Sequence, residues 1–524
     1  MSNMTRIHNP IIWADVPDND VIRVGDAFYM VSTSMHSMPG GPIMRSYDLM
    51  HWEIVSYIFD RLADNDGHNL ENGRSVYGKG SWASSLRQAG EYFYCLLNSN
   101  DLGHAFMFRT KDIESSNWER FEIPAMLHDP ALLIDDDRTY VLYGNGDIRI
   151  VEMTPDMLGI KPETDRLFFA ARSENMLLRA EGGHAYKIDG RYYGLYIDWP
   201  KDGNFRRRAV CYRWDSFEGP IEEKVLLDDD MGFHNRGIAQ GAIFDLPDQK
   251  GWAAMLFQDH GAVGRIPFVL PVTWKDGWPV LGDNGKVPED FDIDLPDVTE
   301  RIAVEAPEDE RKAIIRDSFM LSASDNFNHD LNLLSYKWQW NHNPDNELWG
   351  FDYRKGYLRL RNGHIADTVV SARNTLTQRT YGPACCASTH MELKGMKDGD
   401  EAGLVALQGN FGLIGVKAFE DGGIIGKKLV MCVNGGEYKE QVVAETPLSG
   451  DDVYFRINFD FVDSKDTAIF LWSEDNRNWH QLGDELLMKY TLDHFMGYRI
   501  GLFSYCTKQT GGYVDIEYFD FEVK

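Results

Sequence analysis

One unit of the sequence occurs five times, and this repetition constrains the fold more than any other feature. Each unit consists of a β-strand, a turn rich in Asp and Gly, an aromatic-rich strand, and then a third and a fourth strand. The copies include VIRVGDAFYMVSTS (21–34), SLRQAGEYFYCLLN (85–98), ALLIDDDRTYVLYG (131–144), AYKIDGRYYGLYID (185–198) and AIFDLPDQKGWAAMLFQ (242–258). Five four-stranded units closed by tight turns predict the blades of a five-bladed β-propeller. Two sheets packed as a sandwich are the alternative that this pattern allows.

The second half of the chain has a different pattern. Residues 283–313 are acidic, contain proline and show little periodicity, which predicts a linker or strap. From about residue 317 onward, roughly a dozen short strands of alternating polarity resume and predict a β-sandwich. We therefore expect an all-β protein with a catalytic propeller over residues 1–300, a linker over 301–316 and a sandwich over 317–524.

Charge and composition narrow the choice of partners. The 524 residues carry a net charge of −29, which disfavours nucleic acid and anionic membrane surfaces, because both bind through lysine and arginine. No apolar run approaches the roughly 18–20 residues of a membrane span. The 14 Trp and 24 Tyr residues offer flat apolar faces with a polar edge, which suit sugar rings as well as protein cores.

The cysteines and the first residues bear on the cellular compartment. The six cysteines are scattered, with no CxxC pair, so we expect free and mostly buried thiols. The stretch MSNMTRIHNPII contains no apolar signal segment. These features predict a cytoplasmic protein if the chain is complete, and a secreted or periplasmic protein if a signal peptide has been removed.

Three carboxylates occupy equivalent places in three of the repeated units. Asp18, Asp129 and Glu181 precede the first strand of units one, three and four, in the stretches PDND, LHDPALLI and LRAEGGHAYKI. The innermost strand of each blade lines the axis of a propeller, so we expect the three side chains to converge. Acidic residues before strands are also common turn formers that bond their own backbone, and this alternative stays open for each of them.

Converging carboxyl groups meet the needs of glycoside hydrolysis. One group must be protonated to assist the leaving oxygen, and the other must be ionised to activate water or to attack carbon. A third carboxylate close to the acid would raise the pKa of that acid by like-charge repulsion. The pattern therefore favours a glycosidase over a protein that only binds sugars.

The stretches that carry these acids resemble the successive motifs of glycoside hydrolase family 43, whose members are β-xylosidases, α-L-arabinofuranosidases and arabinanases. The resemblance covers residues 9–282 through NPIIWADVPDNDVIRVGDAFYMVSTS, HDPALLIDDDRTYVLYG, EGGHAYKIDGRYYGLY and GRIPFVLPVTWKDGWPVLG. It implies that Asp18 is the general base, Glu181 the general acid and Asp129 the residue that orients the acid and raises its pKa. It also implies inversion of configuration, with base and acid roughly 6.5–9.5 Å apart.

The resemblance implies a set of substrate-binding residues as well. Arg265, in VGRIP, corresponds to an arginine that reaches the sugar and the carboxylates. Trp82, in GSWASS, corresponds to a tryptophan that lines the pocket of the terminal sugar. Met35 and His36 fall where apolar and aromatic pocket residues stand in the family, and plain core packing is the alternative for Met35.

The sequence departs from the family pattern in places that bear on a metal ion. Asn19 replaces the proline that usually follows the base. Gln240 stands where many members have a histidine that binds a central calcium ion or water, and an amide oxygen can still ligate calcium. His260 is a candidate to supply the missing imidazole, with a structural histidine as the alternative. We expect Gln240 and His260 among the substrate-binding residues, no required cofactor, and calcium near these two side chains as an option.

The predicted function is an inverting, exo-acting glycosidase for pentose-containing oligosaccharides. It would release terminal α-L-arabinofuranose or β-D-xylose from fragments of xylan, arabinoxylan or xyloglucan. A loop of the sandwich within residues 494–506 is expected to narrow the mouth of the site. One alternative is a retaining propeller glycosidase of the fructosidase type, with carboxyls about 5–5.5 Å apart. Another is a non-catalytic carbohydrate-binding propeller. The sequence leaves the oligomeric state open.

Overall fold

The N-terminal half is built from sheets of four antiparallel strands. A computed structural model describes residues 4–301 and 307–524, and within these residues five such sheets follow one another along the chain. The strands of this half are β1 (Thr5–His8), β2 (Asp20–Val24), β3 (Ala27–Val31), β4 (Ser37–Met38), β5 (Gly40–Ser46), β6 (Glu53–Phe59), β7 (Ser81–Ala89), β8 (Tyr92–Ser99), β9 (His104–Thr110), β10 (Glu119–Ile123), β11 (Ala131–Asp135), β12 (Arg138–Tyr143), β13 (Asp147–Glu152), β14 (Arg166–Ala170), β15 (Met176–Ile188), β16 (Arg191–Pro200), β17 (Arg208–Trp214), β18 (Glu222–Leu227), β19 (Ala239–Asp245), β20 (Trp252–Asp259), β21 (Arg265–Lys275), β22 (Trp278–Leu281) and β23 (Asp290–Ile293).

The five sheets form a closed ring. Their first strands, β2, β7, β11, β15 and β19, contact one another in sequence, and β19 contacts β2 in turn. Each sheet is therefore a blade whose first strand lines the axis, which confirms the predicted five-bladed propeller. β1 pairs with β23, so the two ends of this half of the chain are joined.

Tight turns join the first two strands of blades one to four. The loops between the paired strand ends contain two residues in each case. Such loops match the twist of the strands when their residues adopt positive φ, which glycine and aspartate tolerate. Asp189 and Gly190, in blade four, have φ values of 50° and 78°. The turns rich in Asp and Gly that mark the repeats in the sequence are therefore the turns that set strand register.

The C-terminal half forms two sheets of eight strands, which confirms the predicted β-sandwich. One sheet has the order β32-β31-β30-β29-β37-β27-β24-β4, and the other runs β25-β26-β38-β28-β33-β34-β35 with β36 paired to β34. The strands of this half are β24 (Gln339–Asn341), β25 (Trp349–Gly350), β26 (Leu358–Arg361), β27 (Leu376–Arg379), β28 (Ala384–Glu392), β29 (Asp400–Leu407), β30 (Gly412–Asp421), β31 (Ile424–Asn434), β32 (Glu440–Leu448), β33 (Asp452–Asp460), β34 (Thr467–Ser473), β35 (His480–Gln481), β36 (Leu486–Leu487), β37 (Arg499–Cys506) and β38 (Tyr513–Val523).

The two halves share a sheet and a core. β4 belongs to the propeller half, yet it pairs with β24 of the sandwich, where Met38 lies opposite Trp340. One continuous cluster of buried apolar side chains includes propeller residues such as Val263 and sandwich residues such as Tyr498. The sandwich therefore packs on the propeller through apolar contact as well as through strand pairing, and this position brings sandwich loops near the propeller axis.

The segment between the two halves includes a helix. α1 (Glu308–Phe319) is the single α-helix of the described residues. Short 3₁₀ helices span Pro162–Thr164, Pro247–Gln249, Gly261–Val263, Val298–Arg301, Val369–Ser371 and Val462–Ser464. Residues 302–306 of the expected linker lie outside the described residues, and the domain boundaries remain a prediction. No helix in the described parts of the chain has the length and apolar character needed to cross a membrane. All six cysteines are free and buried, as predicted.

Candidate active site

One cavity brings the three predicted carboxylates together. Asp18, Asp129 and Glu181 line a cavity of about 490 Å³. Asp18 and Asp129 each stand two residues before the first strand of their blade, whereas Glu181 lies within β15. The two aspartates have positive φ values of 52° and 45°. Such a backbone is uncommon outside glycine and is found preferentially at functional sites. Convergence from three blades, expected from the repeats, is what the structure shows.

Asp18 is held by two donors from blade five. Its Oδ1 accepts hydrogen bonds from Nη1 of Arg265 at 2.8 Å and from Nε2 of Gln240 at 3.1 Å. The carboxylate is almost fully buried, and the guanidinium next to it compensates its charge. Among the described residues, no hydrogen bond is donated to Oδ2, so this oxygen is available on the cavity side. Gln240, Arg265 and Trp82, all three expected to bind substrate, line the same cavity.

The two other carboxylates meet around a histidine. Nε2 of His128 lies 3.7 Å from Oδ2 of Asp129 and 3.7 Å from Oε2 of Glu181. Oε2 of Glu181 also accepts a hydrogen bond from Nδ2 of Asn145 at 2.5 Å, and Oδ2 of Asp129 accepts one from the backbone N–H of Gly182 at 2.9 Å. Burial, together with the charge of Glu181, raises the pKa of Asp129 to about 6. The carboxylates around His128, first that of Glu181, raise the pKa of its imidazole.

The strand that carries Glu181 bulges around it. The pairing of β15 with β16 shifts between Leu178 and Glu181, and again between Glu181 and His184. Extra residues on one strand bend it and re-aim its side chains. Gly182 has φ of 64°, and a Cβ atom at this position would lie 2.6 Å from the side chain of Gln240. The glycine that follows the glutamate is therefore required by the backbone and by the close approach of blade five.

Asp15, Asp18 and Asp20, which lie just before β2 or at its start, have three different roles. Asp15 accepts the backbone N–H of Gly497 at 3.0 Å, so it fastens the sandwich to the propeller. Asp20 accepts a hydrogen bond from Nη1 of Arg87 at 2.8 Å, which ties blade one to blade two. Burial opposes ionisation of Asp20, but the charge of Arg87, a neighbouring histidine and the hydrogen bonds to the carboxylate together outweigh it and lower the pKa of this carboxyl to about 2. Of the three aspartates, only Asp18 lines the cavity.

Three residues expected to bind substrate lie away from the cavity lining. Met35 is fully buried. His36 packs edge-on against Tyr77 with ring centroids 4.6 Å apart, and burial lowers its pKa well below the ordinary value. His260 stacks on Phe233 at 3.9 Å, and burial lowers its pKa to about 3. All three side chains are therefore packed inside the protein, and their positions do not support a role in substrate binding.

The sandwich contributes a wall that the sequence analysis placed only approximately. Tyr490, Leu492 and Phe495 line the cavity. Phe495 falls within the stretch 494–506 that was expected to hold such a loop, whereas the other two precede it. The guanidinium of Arg265 lies 4.3 Å from the centre of the Phe495 ring, a cation–π contact. The sandwich loop therefore touches the same arginine that holds the carboxylate of blade one.

Several propeller residues of the site were not anticipated. Arg207 lines the cavity and forms an ion pair with Asp259, whose Oδ1 lies 3.6 Å from Nε of Arg265. Burial, followed by the charge of Arg265, lowers the pKa of Arg207 to about 10. His128 directly precedes Asp129 in LHDPALLI, so its position in that motif was a usable signal. Arg207 and Asp259 stand outside every motif, and the sequence gives no sign of them.

A propeller that gathers three carboxylates in one cavity has the arrangement of a glycoside hydrolase. Residues 7–279 match the sequence model of glycosyl hydrolases family 43, and residues 324–522 match that of the β-xylosidase C-terminal concanavalin A-like domain. The chain belongs to glycosyl hydrolases family 43. It is a glycoside hydrolase whose catalytic propeller is followed by the sandwich found in β-xylosidases of this family.

Similar proteins extend over nearly the whole chain. A β-xylosidase of Formosa agariphila is 29% identical over 98% of this chain and 90% of its own length. The non-reducing end α-L-arabinofuranosidase BoGH43B of Bacteroides ovatus is 29% identical over 76% of this chain and 73% of its own length. The structure of a bifunctional GH43-CE protein of Bacteroides eggerthii has a TM-score of 0.89 at 42% identity over 99% of this chain. This chain spans 64% of that bifunctional protein.

Proposed function

We propose that this enzyme removes terminal pentosyl groups by a single displacement with inversion, using Asp18 as the general base and Glu181 as the general acid. The supporting observation is that carboxylates from three blades meet in one cavity, each with different partners. Single displacement requires an ionised carboxylate that activates water and a protonated one that assists the leaving oxygen. The different surroundings of Asp18 and Glu181 match this division.

The surroundings of Asp18 suit a base. Arg265 and Gln240 both donate to Oδ1 and thereby fix the orientation of the carboxylate. Oδ2 is then the oxygen that accepts a proton from water while the water oxygen attacks the anomeric carbon. Arg265 also compensates the charge of the buried carboxylate through an ion pair at 2.8 Å, because opposite charges attract strongly in a buried site. A positioned base of this kind typically contributes about 10²–10⁴-fold to the rate.

The surroundings of Glu181 suit an acid. As the glycosidic C–O bond breaks, Glu181 transfers its proton to the leaving oxygen and becomes a carboxylate. Nδ2 of Asn145 donates to Oε2, which leaves the other oxygen to carry the proton. Nε2 of His128 lies 3.7 Å from an oxygen of Glu181 and 3.7 Å from an oxygen of Asp129, so the histidine links the two carboxyl groups. Asp129 also accepts the N–H of Gly182 and so fixes the backbone next to the acid.

The shape of the cavity supports action at chain ends. The propeller supplies the floor, and Tyr490, Leu492 and Phe495 of the sandwich stand as a wall on one side. Trp82 packs against Phe495 with ring centroids 5.5 Å apart, so the propeller and sandwich walls touch. A site closed in this way admits the end of a chain and excludes a chain that passes through.

The substrate class follows from the family and the apolar lining. The relatives named above include a β-xylosidase and a non-reducing end α-L-arabinofuranosidase. We infer that the terminal sugar is α-L-arabinofuranose or β-D-xylose, carried by oligosaccharides of xylan, arabinoxylan or xyloglucan. These two pentoses present similarly placed hydroxyls, and each has one carbon fewer than the hexoses that would have to fit against Trp82 and Phe495.

The proposed steps use side chains alone and need no cofactor. A calcium ion near Gln240 and His260 finds little support, because calcium takes about six to eight oxygen ligands. The amide nitrogen of Gln240 points at Asp18, and the imidazole of His260 is bonded to Gln258 at 2.6 Å. The residues in place therefore do not fit a calcium site, and no step depends on one.

The product anomer tests the proposed mechanism. Hydrolysis of an aryl β-D-xyloside or an aryl α-L-arabinofuranoside, followed by NMR from the first seconds, should show the inverted anomer before mutarotation. Appearance of the retained anomer would instead support a covalent intermediate, as in the fructosidase-type alternative. Absence of turnover on both aryl glycosides would favour the non-catalytic carbohydrate-binding alternative.

A further inference from the structure

The cavity that holds the carboxylates continues into a second one. We call this continuation the second lobe and define it by Trp199, Phe205, Arg207, Arg236 and Asp259, five of its lining residues. Trp199, Arg207 and Asp259 line both cavities. The second lobe has a volume of about 410 Å³, against about 490 Å³ for the cavity with the carboxylates. It therefore has room for a further sugar unit of the same substrate.

The second lobe opens beside the strand that pairs with the proposed acid. In the pairing of β15 with β16, Glu181 lies opposite Ile197, and Trp199 lies two residues further along β16. The proposed acid gives its proton to the leaving oxygen, so the sugar that leaves must lie on the side of Glu181. The second lobe is in a position to hold that leaving sugar or a group attached to it.

Aromatic rings form one side of the second lobe. The ring centroids of Trp199 and Phe205 lie 6.1 Å apart, and Phe205 is 48% exposed although it is a large apolar side chain. Exposed aromatic faces of this kind suit the apolar faces of sugar rings. The guanidinium of Arg207 lies 5.8 Å from the centre of the Trp199 ring and adds a positive charge at the boundary of the two cavities.

The other side of the second lobe carries a positive charge without a carboxylate partner. Arg207 is paired with Asp259. Among residues 4–301 and 307–524, no carboxylate forms an ion pair with Arg236, and its Nη1 donates instead to the backbone oxygen of Asp259 at 3.3 Å. The nearby Asp466 accepts the backbone N–H of Ala262 at 3.1 Å. A cavity arginine without an ion-pair partner is unusual in this protein, because the chain has a net charge of −29 and therefore an excess of carboxylates.

We propose that the second lobe binds a uronic acid unit of the substrate, with the sugar ring on Trp199 and Phe205 and the carboxylate on Arg236. This inference rests on the proposed function and specifies its substrate class, namely pentose-terminated oligosaccharides that carry a uronic acid next to the cleaved bond. A guanidinium offers paired N–H donors that match the two oxygens of a carboxylate. A neutral sugar would offer the guanidinium of Arg236 no carboxylate partner.

The test compares two oligosaccharides that differ only in charge. Both carry the same terminal pentose, and one has a glucuronic acid group on the leaving sugar where the other has glucose. We expect kcat/KM for the acidic substrate to exceed that for the neutral one by about tenfold, the equivalent of one charge-assisted hydrogen bond in a partly exposed site. Added salt should reduce the ratio, because exposed charge pairs are screened.

Two variants connect the preference to the residue. In Arg236→Gln the ratio should fall to about one, while Arg236→Lys should retain part of it because the charge remains. Arg138→Gln removes the same charge from an exposed position on β12 and should keep the wild-type ratio. A wild-type ratio near one, or an unchanged ratio in Arg236→Gln, would overturn the inference. Failure to hydrolyse any aryl pentoside would overturn the proposed function as well, so the two failures are distinguishable.

Discussion

The propeller wall and the sandwich wall of the active-site cavity differ in chemistry. The propeller wall contains the charged groups, namely Asp18, Asp129, Glu181, Arg207, Asp259 and Arg265. Within the described residues, the sandwich wall consists of Tyr490, Leu492 and Phe495. The three carboxylates stand on the first strands of their blades or two residues before them, whereas Arg207, Asp259 and Arg265 stand at or next to the ends of the outer strands β17, β20 and β21. These three sandwich residues stand on a single loop, between β36 and β37. Proton transfer therefore depends on the propeller, and the sandwich determines the shape of the site.

The two walls also differ in how they are held. Asp18 is fixed by direct hydrogen bonds within the site. The sandwich loop is fixed from outside the site, where Gly497 donates to Asp15 and the backbone N–H of Tyr498 donates to Ala262 at 2.8 Å. Among the described residues, the buried hydroxyl of Tyr490 has no hydrogen-bond partner. Changes in the propeller wall should therefore affect chemistry, whereas changes in the sandwich wall should affect positioning.

The largest effect is expected for the proposed acid and base. Asp18→Asn and Glu181→Gln should each lower kcat by about 10²–10⁴-fold without unfolding the protein. In Glu181→Gln the loss should be smaller on a substrate with an activated leaving group, because such a group needs little protonation. Steady-state kinetics on good and poor leaving groups, with thermal unfolding as the check on folding, measure both effects.

Asp26→Asn is a suitable control for these substitutions. Asp26 is an exposed residue of the first hairpin turn, so its replacement removes the same charge and should leave kcat unchanged. If a variant of Asp18 or Glu181 keeps near-wild-type kcat, the replaced residue does not have the role proposed for it. Equal losses of Glu181→Gln on good and poor leaving groups would contradict its assignment as the acid and place the proton donor elsewhere on the propeller wall.

Asp129→Asn should lower activity and yet stabilise the fold near neutral pH. The folded protein holds the pKa of Asp129 at about 6, above the ordinary value of 3.8. Folding therefore carries a penalty that is absent below about pH 3.8, grows as the pH rises and is complete above about 6. Removing the charge should recover about 1–3 kcal/mol of unfolding free energy at pH 7.

Urea unfolding of wild type and Asp129→Asn at pH 4 and pH 7 measures this effect. The difference in stability should appear at pH 7 and be small at pH 4. An equal stability difference at both pH values would show that Asp129 acts through packing and not through its charge.

The sequence predicted the propeller wall better than the sandwich wall, for a physical reason. Repeated strands and turns are local patterns, and residues at equivalent places in a repeat must converge on the axis, which located Asp18, Asp129 and Glu181. Tyr490 and Arg207 reach the site through the docking of segments that are distant in the sequence, and no local pattern encodes such docking. The resemblance alone pointed to His36, which proved to be buried among aromatic rings.

The sandwich wall can be tested without disturbing the charges. Phe495→Ala should lower kcat/KM on both aryl pentosides by about tenfold, because the ring packs on Trp82 and Arg265 and holds the sugar close to the carboxylates. Unlike Glu181→Gln, this variant should show equal losses of kcat/KM on substrates with good and with poor leaving groups. Phe419→Ala, at an exposed position of β30, removes a similar ring far from the cavity and should leave the kinetics unchanged. Unchanged kinetics in Phe495→Ala would remove the sandwich from the site.

The smallest effect concerns the outer attachment of the sandwich loop. His494 stacks on Tyr77 of the propeller with ring centroids 3.9 Å apart, and His36 and His342 lie within the same group of rings. Burial lowers the pKa of His494 from 6.5 to about 3. The unfolded chain therefore binds a proton below about pH 6.5 that the folded protein excludes, so stability falls as the pH drops from 6.5 towards 3.

His494→Phe keeps a ring on Tyr77 but cannot titrate, so it should flatten this part of the stability profile. The gain over wild type should be about 1 kcal/mol near pH 5.5 and close to zero above pH 7. Urea unfolding across this pH range measures it, and His480→Phe, at an exposed position, should keep the wild-type slope. An unchanged slope in His494→Phe would mean that this histidine is protonated in the folded protein. A charged contact would then help to hold the sandwich wall, and the two walls would differ less in chemistry than proposed.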